Sequence, residues 1–153
     1  MPYIIFKLVH VFAIIFFVGN IVIGIFWKYH GDSSGDPKII ASTMKGIIKA
    51  DKIFTMPAAA FLILAGFGAA GIGYLPIFET GWILWGLIMI IISAAAFMAK
   101  VVPAQKKLFK IAETDPFDKQ LYDAVSKEWN LWGGIATVAP IIAVILMVLK
   151  IPA

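Results

Sequence analysis

The chain contains no cysteine and no arginine. The first absence excludes disulfides, thiolate metal sites, iron–sulfur ligation and thiol nucleophiles. The second excludes an arginine phosphate clamp and an arginine-based voltage sensor. Charge is scarce altogether. Charged residues make up 14% of the 153 positions, against about 25% in an ordinary soluble domain. The apolar runs hold no pair of carboxylates for acid–base or proton-relay work. What is plentiful is hydrocarbon: 61% of residues are hydrophobic and the mean hydropathy is +0.94. A soluble fold of this size needs a polar exterior, and a disordered chain lacks this apolar content, so both classes are excluded. The composition specifies a small polytopic membrane protein in contact with a lipid bilayer.

A spanning helix needs about 20 mostly apolar residues. Four stretches qualify, at about 3–27, 53–72, 82–102 and 132–149. In lipid only a helix or a closed barrel satisfies the backbone, and these runs are too long and too continuous for barrel strands. The expected fold is all-α, one membrane domain over 1–153, a bundle of four transmembrane helices. Span one reads as a span and not as a cleavable signal peptide, since it carries Lys7 and His10 internally and lacks a small-residue cleavage site. Long loops are expected at about 28–52 and 103–131. Of the 13 lysines, eleven fall in these two loops and their flanks, and two (Lys7 and Lys150) at the opposite ends. The positive-inside rule then places both loops in the cytoplasm and both termini outside, in a prokaryotic inner membrane. The net charge of +4 is an inner-leaflet signal and not a nucleic-acid footprint, because the lysines are dispersed and mixed with acids.

The loops carry structure of their own. Asp36-Pro37 reads as an N-cap followed by proline at the first helical position. Ile40, Met44, Ile47 and Ile48 then form an apolar stripe, so a short amphipathic helix over Pro37 to about Ala50 is expected on the inner surface. Thr114-Asp115-Pro116 repeats the device and is expected to start a helix running into span four. Span three is expected to continue past Pro103, kinked, to about Ala112. Asp51, Asp123 and Glu128 are expected at the inner interface as solvated charges.

Polar residues inside a span are costly and are functional candidates by default. The few here are Lys7, His10, Asn20, Thr55 and Ser93, with Asn130 at the start of span four. His10 is the sharpest, about 10 Å inside the outer end of span one. Two readings stand for it: a metal or haem ligand, or a histidine hydrogen-bonded within the bundle. His30 lies about 30 Å away along the same helix, which excludes one metal or a bis-histidine haem bound by both in one chain. It reads as an interfacial residue. Met89 and Met147 lie at the depth of His10 and are candidate second haem ligands. The run Ala65-Gly66-Phe67-Gly68-Ala69-Ala70-Gly71-Ile72-Gly73 permits close helix packing or room for a flat ring. Its glycine spacing is not a dinucleotide motif, since no strand precedes it.

The chain resembles the integral membrane family DUF2269. Lys7-Leu-Val-His10, Gly19-Asn20 and Phe26-Trp27-Lys28 match its first helix. Asp51-Lys-Ile-Phe-Thr-Met-Pro57 and Gly66 match its second, Val102-Pro103-Ala-Gln105-Lys-Lys-Leu108 the end of its third, and Trp132, Gly134, Ala139-Pro140 and Leu146 to Pro152 its fourth. More distantly, span one resembles the first helix of CopD-type copper-resistance proteins and of HemJ-type protoporphyrinogen oxidases, through the early Leu-x-His motif and Tyr29-His30. The latter resemblance implies haem b bound through the helix-one histidine. The expectation is a haem-binding redox protein, or the membrane subunit of one, with His10 as axial ligand and Lys7 near a propionate. It would exchange electrons with quinone or a redox partner protein. The alternatives are a metal or small-solute permease working as a homo-oligomer, and a cofactor-free assembly subunit.

Overall fold

The computed structural model describes residues 1–153 and contains only helices and turns. Helix α1 runs from Pro2 to Ser33, α2 from Pro37 to Ala50 and α3 from Met56 to Ile72. Helix α4 runs from Gly81 to Ala96, α5 from Val102 to Glu113 and α6 from Lys119 to Leu149. Two five-residue π-helical turns, Asp51–Thr55 and Phe97–Val101, join α2 to α3 and α4 to α5 without a break. The molecule is therefore four long rods: 2–33, 37–72, 81–113 and 119–149, each long and apolar enough to cross a membrane.

Each π turn has a cause in the sequence. Pro57 and Pro103 stand two residues beyond them. A proline inside a helix lacks its N–H, and its ring strikes the carbonyl four residues earlier. Those carbonyls belong to Ile53 and Ala99, both within the π turns, where the wider loop relieves the clash.

The rods pair as two antiparallel hairpins, α1 with α2–α3 and α4–α5 with α6. Both hairpin loops lie at one end, here termed the basic end. Both chain termini and the 73–80 turn lie at the other, the terminal end, where Tyr3 meets Gly73 and the backbone of Pro152 and Ala153 meets Gly81.

Rods of 31 to 36 residues are about 47–54 Å long, well beyond a hydrocarbon core of about 30 Å. The excess lies at the basic end, where Lys38, Lys45, Lys49, Lys106, Lys107 and Lys110 are exposed. The largest core cluster sits there too, built from Met44, Ile47, Phe97, Leu108, Tyr122 and Trp129 with their neighbours. Lipid tails are as apolar as leucine, so burial inside the bilayer yields little net gain. At the water-bathed basic end the hydrophobic effect operates in full, at about 1.5–3 kcal/mol per large side chain.

Two expectations are corrected here. The helix expected from Pro37 is present, and the Asp36 side chain caps it by accepting from Lys38 N at 2.8 Å. It does not lie on the inner surface as a separate helix. Ile40, Met44 and Ile47 pack on α5 and α1, and the rod continues straight into α3. The second loop helix starts at Lys119 and not Pro116, because the Asp118 carboxylate accepts from Leu121 N at 2.9 Å and is the N-cap.

Candidate functional site

At the terminal end the two hairpins diverge. No Cα of α3 comes within 8 Å of one in α4. A cavity of about 520 Å³ fills the gap, within the range of pockets that hold cofactor-sized ligands. Its floor is Leu62 and Ile90, which pack with Ala13 and Ala143 below them. Leu75 and Ile77 of the turn also line it. The walls are apolar apart from Tyr3, His10, Trp82 and the two lysines of the terminal end, Lys7 and Lys150. The Lys150 ammonium lies 6.0 Å from the Trp82 ring centre.

His10 is seated on the wall of this cavity by α3. Its Nδ1 lies 2.8 Å from the Leu62 carbonyl oxygen. A carbonyl only accepts, so Nδ1 carries the proton and donates. A neutral imidazole so bonded leaves Nε2 unprotonated, and no protein group bonds to it. The approach depends on Gly66: a Cβ there would stand 2.9 Å from His10 Cε1 and 3.0 Å from Nδ1. Met147 is seated in the same way on the opposite wall. A Cβ at Gly86 would stand 2.5 Å from Met147 Cε. Each hairpin thus presents one ligand-type side chain to the cavity across a glycine of its own partner helix.

The glycine run of α3 therefore serves close packing. Gly66 receives His10, Gly68 receives Phe6 and Gly73 receives Tyr3. The cavity borders this helix through Gly66, Ala69 and Ala70, while Gly68, Gly71 and Gly73 lie outside its lining. Met89, also a candidate second ligand, is outside the cavity lining and packs against the Ala13–Leu62–Ile90–Ala143 cluster. His30 is exposed at the basic end, stacked 6.4 Å from Phe26 and edge-on to Trp27. No three His, Cys, Asp or Glu side chains converge anywhere in the chain.

Two polar clusters at the basic end are absent from the sequence reading. In the first, Asp51 is 6% exposed. Its Oδ1 accepts from Asn20 Nδ2 at 3.1 Å and Thr55 Oγ1 at 2.8 Å, and its Oδ2 accepts from Gln105 Nε2 at 2.8 Å. The expectation of a solvated Asp51 beside lysines is thus corrected: its partners are neutral amides and a hydroxyl from α1, the π turn and α5. In the second, Lys28 is 2% exposed. It pairs with Asp32, donates to Ser126 Oγ at 2.6 Å and lies 5.2 Å from the Trp129 ring centre. Tyr122 donates to the other Asp32 oxygen. It lies ten residues before span four. Burial, reinforced by that carboxylate, holds its phenol above its ordinary pKa and keeps it a donor.

The signal for both clusters was faint. Asn20 and Thr55 stood out as polar residues in apolar runs. Asp51, Gln105 and Lys28 looked like ordinary interfacial residues, because nothing in a linear pattern shows that α2 and α5 extend the bundle at the basic end.

The chain matches no curated protein and no solved structure. A family model described as a predicted integral membrane protein matches residues 4–151. That span is nearly the whole chain and takes in all four rods: the protein belongs to the DUF2269 family of predicted integral membrane proteins.

Proposed function

We propose that the protein binds haem b in the terminal-end cavity, with His10 Nε2 as an axial ligand, and exchanges electrons as a redox protein or as the membrane subunit of one. The observation that carries this reading is the hydrogen bond from His10 Nδ1 to the Leu62 carbonyl. Metal-ligating histidines characteristically donate their second nitrogen to a carbonyl or carboxylate, which fixes the tautomer and ring orientation. Here that bond leaves a basic nitrogen without a protein partner on the wall of a cofactor-sized apolar cavity.

The residues present fit the group. When bound, haem supplies one-electron exchange at a potential set by its ligands and surroundings. The chain's own residues bind and orient it. Lys7 and Lys150 are placed to offset the two carboxylates of an amphipathic porphyrin, and the apolar walls exclude water. Met147 is the better candidate for a second ligand, since it shares the cavity with His10 and Met89 does not. With no other histidine, cysteine or acid nearby, a metal at His10 would draw its remaining ligands from the porphyrin. The lysine distribution supports an orientation with the basic end in the cytoplasm and the cavity toward the outer face.

The test is an absorption spectrum of detergent-purified protein from haem-replete cells, oxidised and then dithionite-reduced. The expected result is a Soret band that shifts on reduction and is lost in His10→Ala. Colourless wild-type protein, or a band unchanged in a folded His10→Ala variant, overturns the reading.

A further inference from the structure

A second, smaller void lies at the basic end, independent of the terminal-end cavity. It measures about 20 Å³, room for about one water molecule. Asp51, Gln105 and Trp129 line it, together with Gly24 and Gly133. Trp129 is 4% exposed, and its indole Nε1 is buried without any hydrogen-bond partner. No other buried side-chain nitrogen or oxygen in the chain lacks one. Buried polar atoms left unpaired are rare, and each calls for a specific explanation.

The chemistry of the lining decides what fits. An apolar occupant would leave the Trp129 N–H unpaired. An anion would face the Asp51 carboxylate. A cation would meet the Trp129 N–H, and the Asn20, Thr55 and Gln105 donors are already turned onto Asp51. A water molecule accepts and donates at once. We propose that the void between Trp129, Gln105 and Asp51 is a binding site for one water molecule, which accepts from Trp129 Nε1–H and donates to the Asp51 carboxylate.

The consequence is structural closure. Asp51 already joins α1, the first π turn and α5. Through this water α6 joins as well, so all four rods meet at one carboxylate, at the level where the π turns interrupt two of them. The water binds as a resident ligand and supplies the acceptor that no side chain gives the Trp129 N–H.

The test reads the Trp129 indole by ultraviolet resonance Raman, as the difference between wild type and Trp129→Phe. The expected spectrum is that of a hydrogen-bonded N–H. Gly133→Ala then narrows the void that Gly133 lines: a Cβ there stands 3.9 Å from Cε3 and Cζ3 on the six-membered edge of the Trp129 indole, ordinary contact that the fold accepts and that leaves Nε1 itself untouched. It should shift the indole signature toward the free form while the thermal midpoint stays within a few degrees. Should Trp129→Phe fail to fold, the wild-type minus Gly133→Ala difference carries the same information. A free-indole signature in wild type overturns the proposal. A hydrogen-bonded signature that Gly133→Ala and Gly24→Ala both leave unchanged overturns it too, since another acceptor would then hold the N–H.

Discussion

One hydrogen atom at Gly66 decides whether His10 reaches α3. A methyl group there would press on the imidazole at 2.9 Å and push it off the Leu62 carbonyl. Gly66→Ala should therefore cost about 1–3 kcal/mol through overpacking, although alanine is the better helix former by about 1 kcal/mol. On the proposed haem reading, the same variant should weaken haem retention, because the imidazole loses its fixed tautomer and direction. Thermal unfolding and the pyridine-haemochrome yield check the two parts. A Gly66→Ala protein as stable as wild type would show that His10 is free to move aside. At Asp51 the argument concerns donor count. Asn20, Thr55 and Gln105 all point donors at the carboxylate. Asp51→Asn keeps the shape but brings an NH₂ among N–H and O–H donors. The expected loss is about 1–3 kcal/mol, measured as a lower midpoint in denaturant. His10, Gly66, Asp51 and Gln105 all stand in motifs of the sequence. Their pairing was not legible there, since residues 10 and 66, or 51 and 105, are distant in the chain and meet only through helix packing.

At the scale of elements, helix limits were legible where local chemistry offered one choice and missed where it offered two; the end expected near Ala112 stands at Glu113. Asp36-Pro37 marked its N-terminus because capping is local chemistry between neighbours. Thr114-Asp115-Pro116 carried the same pattern, yet the helix waits for Asp118. Two caps were available and packing chose between them: Phe117 leans on Tyr122, 5.6 Å between ring centres, and holds the entering chain in extended form. The π turns give a sharper prediction. Removing an interior proline ordinarily gains about 3 kcal/mol in helix propensity. Pro103→Ala should gain none of it here. Without the ring, Phe97–Val101 could tighten to α geometry, which rotates α5 by about 100° against α4. That rotation would take Gln105 off Asp51 and Leu108 out of the core. The expected result is a thermal midpoint at or below that of wild type; a clear rise would mean that the π turn is maintained by the proline alone.

For the whole molecule, the division into a tight half and an open half follows from where water is. The basic end has a water-bathed exterior, so it condenses around Met44, Leu108 and Trp129 and encloses its polar clusters. The terminal half is lipid-facing, gains little from closing, and leaves the hairpins apart around the cavity. The absence of native cysteine makes orientation directly measurable. Ser34→Cys and Glu79→Cys place one thiol at each end, both at exposed positions. An impermeant maleimide applied to intact cells should label Glu79→Cys and reach Ser34→Cys only after permeabilisation. The opposite pattern would place the cavity on the cytoplasmic side and redirect the search for electron partners.

Sequence alone determined the class of molecule, the number of spans and the separation of His10 from His30. Each of these depends on hydrocarbon content and helical rise, which are sums over neighbouring residues. Tertiary structure decided what the polar residues do. Lys28 and Asp51 are the same residue types wherever they stand, but the packing of the basic end removes them from water and pairs them with Ser126, Asp32, Asn20 and Gln105. His10 becomes a fixed imidazole with one open nitrogen only because a glycine lies opposite it on another helix. Burial and pairing are relations between distant segments, and no local pattern of residue types encodes them.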